Sequence, residues 1–249
     1  MKKLFTGLCM AWGNFCYIPG LKKWDEEARS IMLGWLPFIG LVVGIIWAGI
    51  YLGLCAISMP FLLTAAIVTW LPFILSGFIH VDGFMDVSDA TLSRGEVVKR
   101  RRILKDSNVG MFGVTTFVFT VLIEFAAIST AISQSFDFFN LVMIAMFSRT
   151  VSSLEVLNSV PMETSQYKNK PSAKEGNIMN IIFIIIALGL AALFCKYYIS
   201  TAICIVATVL GTLIPISIAK KNLGGMNGDI AGYGIIWGEL FGMISLIIS

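Results

Sequence analysis

The stretch "LPFILSGFIHVDGFMDVSDATLSRG", residues 71–95, decides the fold. Its first ten residues complete a run from 60 to 80 that carries no Asp, Glu, Lys or Arg and ends on the single histidine, His80. An apolar run of that length matches the roughly 30 Å hydrocarbon layer of a bilayer. The next residues set Asp82, Asp86 and Asp89 against the end of that run. The chain therefore reads as a membrane protein with acidic groups massed at one boundary.

Composition agrees. Hydrophobic residues make up 57% of the 249 and charged residues 13%, with a mean hydropathy of +0.85, which excludes an ordinary soluble domain. Seven apolar stretches are long enough to span, at about 31–57, 60–80, 109–132, 136–156, 178–195, 200–219 and 229–248. The expected architecture is one all-α polytopic membrane domain over 1–249, with cytoplasmic loops at about 81–108 and 157–177. The opening "MKKLFTGLCMAWGNFCYIPG" shows no small-residue cleavage site and reads as a retained N-terminal interfacial helix.

Basic residues orient the spans, because cytoplasmic loops are enriched in Lys and Arg. With the N-terminus inside, Lys2, Lys3, Lys22, Lys23, Arg29, the Arg94–Lys105 cluster, Lys168, Lys170, Lys174, Lys220 and Lys221 all fall on the cytoplasmic side, and only Lys196 falls clearly outside. The C-terminus is then outside. Cys9, Cys16, Cys55, Cys195 and Cys204 have no CxxC spacing, so neither a disulfide framework nor a thiolate metal site is expected. Gly40 with Gly44, and Gly49 with Gly53, are GxxxG pairs that read as close helix packing. The loop 157–177 is polar, broken by Pro161, Pro171 and Gly176, and reads as extended or mobile.

If the second span continues helically past His80, Asp82, Asp86 and Asp89 stand on one face. Like charges at that spacing repel, more so near a low-dielectric boundary, so a cation should offset them. Hard oxygen donors with one histidine favour Mg²⁺ over zinc or copper. Magnesium takes one or two carboxylates per ion, so several carboxylates suggest paired ions bridged by a phosphate group. The plain alternative is a solvated turn neutralised by Arg100, Arg101 and Arg102.

Other elements bear on that choice. Asp229 stands at the mouth of the last span behind Gly224 and Gly225, and Glu239 lies inside that span. A carboxylate deep in a span costs about 2.5–3.5 kcal/mol, so Glu239 and Glu124 should face the bundle interior with Arg149 as a partner for either. The run Lys99–Arg102 with Lys105 sets topology and meets anionic lipid headgroups, or clamps a diphosphate through arginine's paired donors. Membrane lipid is thus an expected partner, nucleic acid is not, and a homo-oligomer is compatible with the chain. In "KDSNVGMFG", residues 105–113, Asp106 and Ser107 read as a helix N-cap, and Gly110 and Gly113 as points of close approach for a large substrate.

Three motifs taken together, "SGFIHVDGFMDVSDA", "KDSNVGMFGV" and "GGMNGDIAGYGIIWGE", resemble the cobalamin synthase family of adenosylcobinamide-GDP ribazoletransferases. The sequence departs from the family pattern at Ala90, at Asn227, where threonine is usual, and at Ile236, where an acid is usual. The resemblance implies transfer of phosphorylated cobinamide from adenosylcobinamide-GDP to α-ribazole or α-ribazole 5′-phosphate, with release of GMP, at the cytoplasmic face of a prokaryotic inner membrane. Mg²⁺ is the implied cofactor, held by Asp82, Asp86 and Asp89 with Asp106 or Asp229. His80 is a secondary catalytic group, and Arg100, Arg101, Arg102, Lys105, Asp106, Ser107, Gly110 and Asn227 are expected at the substrate. A CDP-alcohol phosphatidyltransferase would instead show Ala-Arg after the glycine and a close GxxxDxxxD, where this chain has Phe84-Met85-Asp86. A cation transporter would place its acids near mid-membrane between repeats, and no repeat is visible.

Overall fold

The computed structural model describes residues 2–168 and 172–248, so Lys170 and Pro171 lie outside the described residues. The chain is all-helical: α1 (Lys2–Phe15), α2 (Arg29–Gly34), α3 (Leu36–Ala56), α4 (Phe61–Leu75), α5 (Ile79–Leu92), α6 (Val97–Ile103), α7 (Met111–Gln134), α8 (Phe139–Asn158), α9 (Lys174–Phe194), α10 (Tyr198–Leu223) and α11 (Gly228–Ser245). Among the described residues, six helices, α3, α7, α8, α9, α10 and the last one extended to Ile248, are long and apolar enough to cross a membrane, and α4 with α5, bent by 89°, makes a seventh if the pair is counted as one span. This is the multi-pass architecture expected from hydropathy.

The helix α8 is the axis of the bundle. Its most apolar window is 89% buried, against 17% for α9, which faces outward. Ser148, Arg149, Ser152 and Ser153 are therefore interior residues that need partners, and Ser153 Oγ donates to Leu33 O at 2.7 Å while Ser152 Oγ donates to Ala231 O at 3.1 Å. Against α8, α3 packs through Gly40 and Gly44: a Cβ at Gly40 would lie 2.4 Å from Ala145 O, and one at Gly44 would lie 2.6 Å from Val142 Cα. The second pair, Gly49 and Gly53, meets open space instead. Only the first GxxxG pair is a packing device.

The second span departs from expectation. It does not run on past His80: helix α4 stops at Leu75 and α5 leaves at 89° to it. The cause is local. Pro72 has no N–H for the Val68 carbonyl, and Trp47 Nε1 takes that carbonyl instead at 2.7 Å. Ser76 Oγ then donates to Pro72 O, and Gly77 and Phe78 both adopt φ +61°. Phe78 N donates to Phe73 O and Gly77 N to Ile74 O, the paired bonds of a Schellman termination. The acidic stretch is thus a helix of its own.

Several helix ends meet at one end of the bundle. Asn158, ending α8, and Asn177, in the first turn of α9, exchange side-chain amide bonds at 3.0 and 2.8 Å. Lys220 near the end of α10 pairs with Glu155. The segment 159–168, expected to be extended or partly mobile, starts as extended backbone bridged to the α10–α11 turn: Met226 N donates to Val160 O at 2.9 Å and Met162 N to Met226 O at 3.0 Å. Met162 and Tyr167 are its buried anchors. At the N-terminus, α1 buries Cys9, Met10 and Ala11 while exposing Leu4 and Phe5, and Trp35 Nε1 donates to Leu4 O at 3.1 Å. All five cysteines are free.

Candidate active site

The site begins where α5 crosses the N-terminal half of α11. Gly83 makes the crossing close: a Cβ there would stand 2.8 Å from Asp229 Cα and 2.9 Å from its carbonyl oxygen. Asp82 is exposed, Asp86 half-buried and Asp89 buried, so one helical face runs from solvent into the bundle. The charges of Asp82, Asp229 and Asp89 all act on Asp86. Backbone contact between two acidic helices is what concentrates them.

At the start of α11, Asn227 is the N-cap, with Oδ1 accepting from Ile230 N at 3.0 Å. Its Nδ2 donates to Asp229 Oδ2 at 2.6 Å, so the same side chain both caps the helix and turns the carboxylate. His80 is buried, stacks 6.3 Å from the Phe15 ring, and has Nε2 without a hydrogen-bond partner. It borders a cavity of about 80 Å³ whose polar lining also includes Asp82, Asp229, Gln166 and Tyr167. Burial pushes the Tyr167 phenol up to about 12, so it stays a hydroxyl there. Gln166 and Tyr167 had no distinguishing motif; the aromatic residue inside a polar loop was the only signal.

Asp89 has a different task from Asp82 and Asp86. Its Oδ2 accepts from Gly110 N at 2.7 Å and its Oδ1 from Gly113 N at 2.9 Å, which satisfies free N–H groups of the first turn of α7. The N-cap of α7 is Gly110, without a side-chain cap of its own, so Asp106 and Ser107 do not cap this helix as their sequence position suggested. Gly110 and Gly113 admit Asp89 itself: a Cβ at either would lie 2.3 or 2.6 Å from its carboxylate oxygens. Asp106 sits in the exposed loop before α7, where the Asn108 backbone N–H and side-chain amide hold its carboxyl below the usual carboxylate range. Ser107 is exposed beside it.

The basic run is likewise divided. Arg101 donates from Nε to Leu223 O at 2.7 Å and from Nη2 to Gly224 O at 3.0 Å, closing the C-terminus of α10. Arg100 Nη1 donates to Asn222 Oδ1 at 2.8 Å. Both hold α6 against α10. Arg102 and Lys105 remain exposed.

A family model, cobalamin-5-phosphate synthase, matches residues 7–247. The chain belongs to the cobalamin-5-phosphate synthase family. It is 37% identical over 99% of both chains to an adenosylcobinamide-GDP ribazoletransferase of Clostridium perfringens (strain SM101 / Type A). It is 32% identical, over 98% of both chains, to the protein of that name from Clostridium botulinum (strain Alaska E43 / Type E3), and 26% identical to that from Geobacillus sp. (strain WCH70), over 93% of this chain and 91% of the relative. No solved structure matches.

In this cobalamin-5-phosphate synthase family member, no Lys or Arg among the described residues forms an ion pair with Asp82, Asp86 or Asp229. Nor do three His, Cys, Asp or Glu side chains among the described residues already stand as a ligand set for a metal ion. Of the carboxylates expected as ligands (Asp82, Asp86 and Asp89 with Asp106 or Asp229), Asp89 is turned to α7 and Asp106 lies in its exposed loop. The donor chemistry at the crossing still fits Mg²⁺, which keeps most of its waters and takes one or two carboxylates from a protein. Uncompensated oxygens of Asp82, Asp86 and Asp229 are donors of that kind.

Proposed function

We propose that this chain transfers the phosphorylated cobinamide group of adenosylcobinamide-GDP to a ribose hydroxyl of α-ribazole or α-ribazole 5′-phosphate, releasing GMP in a late step of cobalamin biosynthesis. The observation that carries the reading is the α5–α11 crossing, in a chain alignable end to end with proteins named for that activity. The hydroxyl oxygen forms a new bond to the cobinamide phosphorus, and the bond from that phosphorus to the bridging oxygen breaks. GMP leaves with that oxygen.

Asp82, Asp86 and Asp229 are the Mg²⁺-holding carboxylates in this proposal. When bound there, Mg²⁺ neutralises the diphosphate and the departing phosphate. Asn227 keeps Asp229 turned toward the crossing, and a carboxylate of the same group takes up the hydroxyl proton. His80 and Tyr167 offer hydrogen bonds from the adjoining cavity. Holding both substrates in line on this rigid crossing supplies orientation and charge stabilisation, which dominate displacement at phosphorus.

The crossing faces the cytoplasm in this reading, because Arg94, Lys99, Arg102, Lys105, Lys168, Lys220 and Lys221 gather at the same end of the bundle. Exposed Val97 and Val98 beside Lys99 and Arg102 fit α6 to an anionic lipid surface. Purified membranes given adenosylcobinamide-GDP, α-ribazole and Mg²⁺ should yield GMP and a completed cobamide, while CDP-diacylglycerol with an alcohol acceptor should yield no CMP. Failure of the first reaction with correctly inserted protein overturns the proposal.

A further inference from the structure

We infer that Arg149, locked by Glu239, is a positioning residue that grips Ser76 at the α4–α5 break and so fixes the acid-bearing helix across α11. Arg149 is 1% exposed on α8, the most enclosed helix of the bundle. Its Nη1 donates to Glu239 Oε1 at 2.6 Å and to Ala145 O at 3.1 Å, and its Nη2 donates to Ser76 Oγ at 3.1 Å. Ser76 Oγ in turn donates to Pro72 O at 2.8 Å, the carbonyl at the last turn of α4. Three elements are joined through one guanidinium.

Geometry gives the junction its purpose. Asp229 and Glu239 lie on the same helix, α11, ten residues apart in sequence, which corresponds to roughly 15 Å of helix. The broken segment meets that helix directly through Gly83 at Asp229, and is linked to it a second time through α8, by Ser76 to Arg149 and Arg149 to Glu239. Gly83 on Asp229, Phe84 on Tyr233 and Asp89 on α7 hold the body of α5, and the Ser76 bond adds a fixed point on the other side of the break, where the angle between α4 and α5 is set. Left-handed Gly77 and Phe78 form the pivot between them. A buried ion pair costs more desolvation than an apolar pair of similar volume would, so packing alone is a weak reason to place it here. The bond to Ser76, next to the pivot, is what an apolar pair could not provide.

The inference rests on the reading of α5 as the catalytic helix, and the test keeps the two apart. Full-length protein in lipid nanodiscs is compared as wild type, Ser76→Ala and Ser76→Thr, by hydrogen–deuterium exchange and by steady-state kinetics. Ser76→Ala should raise exchange in peptides covering 77–92 while leaving α9 unchanged, and should lower kcat by roughly ten- to a hundredfold, the scale of a small misplacement of reacting groups, with KM altered less than about twofold. Ser76→Thr, which keeps the hydroxyl oxygen, should restore both. Wild-type exchange or wild-type kcat in Ser76→Ala overturns the inference, as does an equal defect in Ser76→Thr. Near-wild-type turnover of both Asp82→Asn and Asp86→Asn would remove α5 from the chemistry on which this inference rests, whereas exchange in α5 reports the grip on Ser76 whatever the turnover.

Discussion

Asn227 Nδ2 lies 2.6 Å from Asp229 Oδ2, and the same side chain caps α11 through Ile230 N. One residue therefore couples the stability of a helix start to the direction of a carboxylate. Asn227→Ala should cost about 1 kcal/mol of stability as a lost N-cap and should also reduce kcat, because Asp229 loses its only side-chain donor among the described residues. Thermal melts and initial rates on the same preparation check both parts. A stability loss with unchanged kcat would mean that Asp229 needs no turning.

Asp82→Asn and Asp86→Asn should each lower turnover by roughly 10²-fold or more while leaving membrane insertion intact, since each replaces a proposed anionic Mg²⁺ ligand with a neutral amide of the same volume. Rates normalised to folded protein in detergent decide this. Near-wild-type rates in both variants would remove the crossing from the chemistry.

Asp89→Asn should behave differently. It replaces one of two oxygens that accept from Gly110 and Gly113 with an amide that cannot accept, leaving an N–H at the start of α7 unpaired at about 1–3 kcal/mol. The expected result is a lower melting temperature with the Mg²⁺ concentration for half-maximal rate unchanged. A shifted Mg²⁺ requirement would return Asp89 to the ligand set.

Two buried glutamates should separate sharply. Both oxygens of Glu124 are buried without a donor, whereas Glu239 meets Arg149. Glu124→Gln keeps the shape and removes no ion pair, so stability should change by less than about 1 kcal/mol. Glu239→Gln strands the Arg149 charge and should cost about 3–5 kcal/mol. Denaturation of the two variants in the same detergent tests the contrast.

Most spans were legible because length and hydropathy are additive along a helix: α3, α7, α8, α10 and α11 fall inside or close to the apolar stretches. The α4–α5 bend was not, since an apolar average is blind to direction and Pro72, Gly77 and Phe78 pass as three more apolar or neutral residues. The carboxylate spacing was legible because α5 is helical whether or not it continues α4. What Asp89 does was not, because its partners are backbone N–H groups on α7, 21 and 24 residues on, and spacing within α5 does not encode them. Arg149 could be read as a buried partner because a charge in hydrocarbon needs one. Its bond to Ser76 depends on how α4 and α8 pack, which no local pattern carries.

With fifteen residues, α4 covers roughly 22 Å of a hydrocarbon layer about 30 Å thick. Alone, α4 is shorter than that layer, and the 89° turn into α5 sets the exposed Asp82 just beyond its end. The length of α4, fixed by its Schellman stop, thereby determines how far along the bundle the acidic helix starts.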